Sequence, residues 1–179
     1  DPELELGELV VFDDLWFQSN RLPDGSLCTF HTAPGAPGRG HWVFDGPFHE
    51  HLRGALLASA RELGHRVRDG GCYGHVDGPR FNTRSEIRLL AAAGVSAVSQ
   101  TAGPETVLAG ELGIPYAALG FVTDHANGVA AQATPVAELM RLIDVSAERF
   151  SGTLAGALGR LDPAALGPVG SSITWGGDA

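Results

Sequence analysis

VDGPRFNTRSE, residues 76 to 86, closes an apolar run, turns at Gly78-Pro79 and then starts a helix. Thr83-Arg84-Ser85-Glu86 has the form of a capping box, in which a threonine hydroxyl and a glutamate carboxylate satisfy each other's backbone amides. Ile87, Leu89, Leu90 and Ala93 follow at helical spacing, and Gly94 stops the pattern. A strand that ends in a turn and feeds a capped helix is the repeating unit of an α/β sheet, and ligands of such sheets sit beyond the carboxyl ends of the strands.

The same unit recurs downstream. Val95 to Ser99 reads as a buried strand, and QTAGPE (100 to 105) leads into a helix that tolerates Pro104 in its first turn, carries Glu105 against its dipole and closes at Gly113. Ile114 to Thr123 reads as a central strand ending in FVTDHANG (121 to 128). Thr134-Pro135 opens the longest helix, with Leu139, Leu142, Ile143, Ala147, Phe150, Leu154 and Leu158 as its apolar stripe.

Upstream, Val67 to Val76 is a strand interrupted by Gly70, Gly71 and Gly74, which points to a bend where another backbone or a ligand comes close. Pro47 to Leu63 carries an amphipathic helix, and residues 8 to 14 a short buried strand. Residues 22 to 40 are dense in Pro and Gly and read as an exposed loop with at most a short strand around Leu27 to Phe30. The expected architecture is a three-layer α/β fold, a mostly parallel central sheet with helices on both faces, in one domain over residues 1 to 166. A flexible tail is expected over 167 to 179.

Composition narrows the function. The net charge of -9 argues against nucleic acid or an anionic membrane as partner. No apolar run approaches the ~20 residues of a membrane helix. Cys28 and Cys72 are too few for a disulfide framework and read as small core residues, which fits a reducing, cytoplasmic setting. A small ligand or a protein partner is the remaining expectation.

GPRF before a capped helix, then QTAGPE, then TDHANG, in this order, resembles the purine nucleoside phosphorylase family, most closely its methylthioadenosine phosphorylase branch. The likeness runs from about residue 6 to 160, because LGELVVFDDLWFQSNR and HWVFDGPFHEHLR also resemble family segments. It implies a pentosyltransferase of purine salvage that cleaves the N-glycosidic bond of a nucleoside with inorganic phosphate and no cofactor. The nucleoside implied is 5'-deoxy-5'-methylthioadenosine or a related 5'-modified adenosine.

By the same resemblance Asp124 assists departure of the base, donating to N7 as a neutral acid that burial would favour. Phe81 stacks on the base, Gln100 and Thr101 contact the ribose and nearby polar groups, and His41 reaches the 5' end across a subunit contact. The implied assembly is a trimer or hexamer, of one kind of chain or two.

The chain departs from the family pattern in three places. The glycine-rich phosphate loop, the Arg-His phosphate contact and the Thr-Ala turn are not found in it, so an N-terminal half or a second polypeptide is expected to supply them. Ala126 stands where adenine-selective members carry a second carboxylate, and Gln100 replaces the usual Met. These changes leave open a homologue that does not perform phosphorolysis: a nucleoside-binding scaffold, a hydrolase or an enzyme of specialised metabolism. Taken singly, Asp124 reads as a turn cap, Phe81 as core, Glu105 as a helix-dipole partner and Arg80 as half of an ion pair. His49-Glu50-His51 lacks the spacing that puts two histidines on one helix face, so no metal is expected there.

Overall fold

The computed structural model describes residues 1 to 35 and 39 to 175. In chain order the elements are β1 (Leu9–Val11), β2 (Asp14–Trp16), β3 (Arg39–Phe44), α1 (Glu50–Glu62), β4 (Val67–Asp69), β5 (Cys72–His75) and α2 (Arg84–Ala92). They continue with β6 (Val95–Ser99), α3 (Ala102–Glu111), β7 (Leu119–Phe121), α4 (Val136–Leu158), a single 3-10 turn at Pro163–Ala165 and β8 (Gly170–Trp175). None of the described helices is long and apolar enough to cross a membrane.

The centre is a bent pair of parallel strands. β1 pairs with β4, and after a short break β2 pairs with β5. At the break Gly70 and Gly71 take φ of 89° and 125°, and the Asp13 carboxylate accepts from the Gly71 amide at 2.8 Å. It occupies the space that a Cβ on Gly70 would need, so the expected close approach at these glycines is a strand-to-strand contact. β6 adds in parallel beside β5, and β7 adds beside β1.

Alternation along the strands then decides the layers. Val11 packs with Leu56, Leu57 and Ala157 of α1 and α4, whereas Val10 and Phe12 face the other way, with Tyr73 and Ala102 of α3. Likewise Cys72 joins Ile87 and Leu90 of α2, while its neighbour Tyr73 faces α3. Helices therefore cover both faces of a mostly parallel sheet, as the sequence pattern predicts. Arg53 secures α1 from within, its Nε donating to the Phe12 carbonyl at 2.8 Å while its other nitrogens meet Glu50 and Asp69.

Three expectations need correction. The strand foreseen over 114 to 123 is reduced to Leu119–Phe121 and runs antiparallel to β1. Pro115 cannot donate to a ladder, and the carbonyls of Tyr116 and Ala118 accept from the amides of His49 and Phe12. The flexible tail foreseen over 167 to 179 includes β8, paired antiparallel with β3 from Phe44↔Gly170 to Arg39↔Trp175; residues 176 to 179 lie outside the described ones. Around Leu27 there is only one isolated bridge, to Arg21.

Candidate functional site

The turn at 76 to 86 is held by its own residues. Thr83 Oγ1 accepts from the Glu86 amide at 3.3 Å and Glu86 Oε2 accepts from the Thr83 amide at 2.7 Å, completing the capping box. Arg80 forms a two-pronged pair with Glu86 at 2.8 and 2.7 Å. The Arg80 hydrogen bonds, followed by that from the Thr83 amide, hold the Glu86 carboxyl down at about 2. Ser19 donates to Asp77 at 2.8 Å. Gly78 has φ 57°, and a Cβ on it would run into the Gln100 amide, so the second turn of the site is packed directly against the first.

With both turns braced in this way, Phe81 is carried outward at 78% exposure. It faces a cleft of about 1470 Å³, more than the ~300 to 1,000 Å³ usual for a single small ligand. Gln100, Thr101 and Asp124 line the same cleft, as do Glu105, Tyr116, His125 and Asn127. The three turns singled out in the sequence thus converge on one space. His41 does not: it is exposed on β3, edge-on to Trp175 with ring centres 4.8 Å apart, and is not among the cleft-lining residues.

Asp124 itself is exposed, and its one described side-chain partner is the Thr123 hydroxyl, which donates to Oδ1 at 3.1 Å. The burial expected of a neutral acid is therefore not provided by the described residues. Two positions on, half-buried Ala126 lines the cleft and packs against the cluster of Ile87, Leu90 and Val95. Asn127 is also committed, donating from Nδ2 to the Asn82 carbonyl at 2.8 Å and so tying the third turn to the first. Neither residue offers the base a second carboxylate.

Two polar groups of the site escape a reading of the sequence. The Tyr73 hydroxyl reaches the start of α3, where it accepts from the amides of Thr101 and Ala102 at 3.2 and 3.1 Å and lies 3.3 Å from Thr101 Oγ1. Tyr116 donates to Glu105 at 2.8 Å; burial, then the Glu105 carboxylate, pushes its phenol far up. Both tyrosines occupy apolar-looking stretches, so pattern alone assigns them to the core.

The remaining titratable candidates are structural. His49 caps α1, its Nδ1 accepting from the His51 amide. His75 is buried at the end of β5 against Phe17, and burial lowers its pKa although Asp77 works in the opposite direction. Cys28 and Cys72 are free thiols pushed up to about 11, chiefly by burial, with Glu111 and the Asp14 and Asp13 pair adding to the effect. Among the described residues no group of three or more His, Cys, Asp or Glu is placed to hold a metal ion.

Comparison with known proteins fits this geometry. The family model described as the phosphorylase superfamily matches residues 1 to 158. The chain belongs to the phosphorylase superfamily. Among superfamily relatives, a probable 6-oxopurine nucleoside phosphorylase of Thermococcus kodakarensis is 36% identical over 146 residues, covering 77% of this chain and 53% of that protein. An S-methyl-5'-thioadenosine phosphorylase of Mycobacterium tuberculosis is 40% identical over 131 residues, covering 73% of this chain and 45% of that one. A solved methylthioadenosine phosphorylase from Schistosoma mansoni in complex with adenine superposes with a TM-score of 0.76 at 25% identity, covering 89% of this chain and 61% of its own. The chain spans about half the length of the curated relatives it matches.

Proposed function

We propose that this chain carries the base- and sugar-binding part of a site for phosphorolysis of a purine nucleoside. The substrate in this reading is 5'-deoxy-5'-methylthioadenosine or a related 5'-modified adenosine, and the products are the free base and a ribose 1-phosphate derivative. The observation that carries the reading is the convergence of Phe81, Gln100, Thr101 and Asp124 on one cleft. An aromatic face holds a flat heterocycle, the polar turn of Gln100 and Thr101 meets sugar hydroxyls, and a carboxylic acid protonates N7 as negative charge builds on the leaving base. Relatives named for 6-oxopurines and for methylthioadenosine both match this chain, so the preference for adenine rests on Asp124, whose carboxyl can donate to N7 and accept from a 6-amino group.

Inorganic phosphate is the co-substrate, without a cofactor, and a further segment holds it, either an N-terminal half or a second polypeptide. In support, the described residues lining the cleft include no arginine or lysine. The same segment would shield Asp124 from water. We assign His41 to the 5' end of a nucleoside in a neighbouring subunit of a trimer or hexamer, since it is exposed on β3 and apart from its own cleft. The free thiols of Cys28 and Cys72 accord with a reducing, cytoplasmic setting.

A second reading, a homologue that binds the nucleoside but hydrolyses it or leaves it intact, is favoured by Ala126, which gives the cleft wall a methyl group with no hydrogen-bonding capacity. One assay separates the two. The intact protein is incubated with methylthioadenosine, with and without phosphate, and the products are resolved. Phosphate-dependent adenine release with a sugar phosphate as co-product is expected; release without phosphate establishes the hydrolase, and binding without release the scaffold.

A further inference from the structure

Among the described residues the two three-stranded sheets have four edge strands, and these are of two kinds. β4 carries Arg68 and Asp69, and β2 carries Asp14, whose Oδ1 accepts from the Leu15 amide at 2.8 Å. Charges at an edge are one way a strand is kept from pairing with another chain. β6 (Val-Ser-Ala-Val-Ser) and β7 (Leu-Gly-Phe) carry neither charge nor proline, the composition of strands from the middle of a sheet.

Both uncharged edges open into one place. All of β6 and the stretch 117 to 123 line the cleft, over a floor that includes the core side chains of Val10, Phe12 and Leu56. The ladders decide which backbone groups point there. Leu9 donates to Arg66 and Val11 accepts from Gly70, so both turn towards β4, and their partners Phe121 and Leu119 turn away from β1. In β6, Ser99 accepts from Val76, so its neighbour Val98 turns away from β5. The Ser96 carbonyl already takes a donor from beyond the sheet, the Asp1 amino group at 2.6 Å.

We propose that these two edges are a docking surface for a strand-forming polypeptide segment, which pairs with both β6 and β7 and fills the apolar part of the cleft. The occupant is the remainder of the relatives' length. The chain covers 53%, 59% and 45% of three curated relatives, so each carries roughly as much polypeptide again. The walls set its chemistry: apolar side chains towards the floor, and backbone amides and carbonyls free for the edges. The excess of the cleft over the volume of one small ligand is then the space of this segment. The inference rests on the part of the reading above that calls for a further segment, and says how that segment is attached.

The test compares the chain alone with the chain mixed with a second polypeptide, the amino-terminal part of the Mycobacterium tuberculosis relative up to its matched region. Amide exchange is followed residue by residue. In the chain alone the Val98, Leu119 and Phe121 amides are expected to exchange fast, whereas those of Ala97 and Gly120, which point into the ladders, are protected. In the mixture a one-to-one complex is expected, with the three outward amides slowed by about a hundredfold or more. Val98→Pro and Leu119→Pro each remove an outward donor and no ladder bond, so each should leave the chain alone folded and weaken the complex about tenfold. The exchange comparison decides the matter even where a proline variant fails to fold. No complex, a complex whose three amides still exchange fast, or protection of those amides in the chain alone through a dimer of itself would each overturn the inference. Turnover of methylthioadenosine is scored separately. A complex that turns over with its edges unprotected overturns the inference and leaves phosphorolysis standing; an edge-protected complex without turnover upholds the inference and overturns phosphorolysis.

Discussion

Two turns line the cleft and are built on opposite plans. Residues 76 to 86 are secured largely from within, by the capping box and the Arg80–Glu86 pair, with Ser19 adding a bond to Asp77. Among the described residues, the side chains of 121 to 128 make one hydrogen bond within the turn, from Thr123 to Asp124, and one tether, from Asn127 to the first turn. The first turn therefore pre-orders an aromatic platform, Phe81, that packs on little of its own protein. The second presents a carboxylate whose surroundings depend on what enters the cleft. The lesson is a division of labour, with stability concentrated in one wall and, on the proposed reaction, the acid carried by the other, and it can be broken by showing that a residue of either turn does the other's work.

The sharpest break is at Asp124. Replacing it by Asn removes the acid and keeps the shape, so base release should fall by about 10² to 10⁴-fold, the range of a lost general acid. Because its only described side-chain bond is to its neighbour Thr123, the thermal midpoint should not move. Paired rate and melting measurements check this; a lowered midpoint with retained turnover would reverse the assignment. Next in size is Thr83→Ala, which deletes the cap of α2 and should cost about 1 kcal/mol of stability. Turnover per folded molecule should be almost unaffected. Urea unfolding reads the first quantity and a saturating-substrate assay the second; a large loss of turnover at full stability would place catalytic function in the wall assigned to support.

The two plans also explain what was legible beforehand. Self-securing structure is local, and local structure is written in adjacent residues: Thr83 with Glu86, the Pro135 helix start, the glycine pair that breaks the central strand. The grouping of Phe81, Gln100, Thr101 and Asp124 was legible too, because each sits where a strand hands over to a turn. Structure that depends on distant partners was not. β8 is a Gly-Ser-Ser-Ile-Thr-Trp run with no apolar alternation to mark it, and its ladder partner β3 lies far away in sequence. β7 needed the antiparallel register with β1 to be seen. The contacts of Tyr73 depend on two amides beyond its own strand, and the exposure of Asp124 depends on which distant residues pack near its turn, which no motif encodes.

The smallest effect concerns pH and again separates the two walls. Glu86 is held at about 2 by Arg80 and the Thr83 amide, below its usual value near 4.5. Between those limits the unfolded chain takes up a proton that the folded chain does not, so stability rises with pH across the window. The contribution is whole above about 4.5, shrinks as pH falls towards 2, and vanishes below it, where both states are protonated. The pair is exposed, so the effect should be modest and should weaken in high salt. Comparing urea midpoints of the parent and Glu86→Gln from pH 6 downward should show a gap that stays constant to about 4.5 and then closes. A gap that persists unchanged to low pH would mean that Glu86 supports the turn through its shape as a helix cap, with its charge contributing nothing.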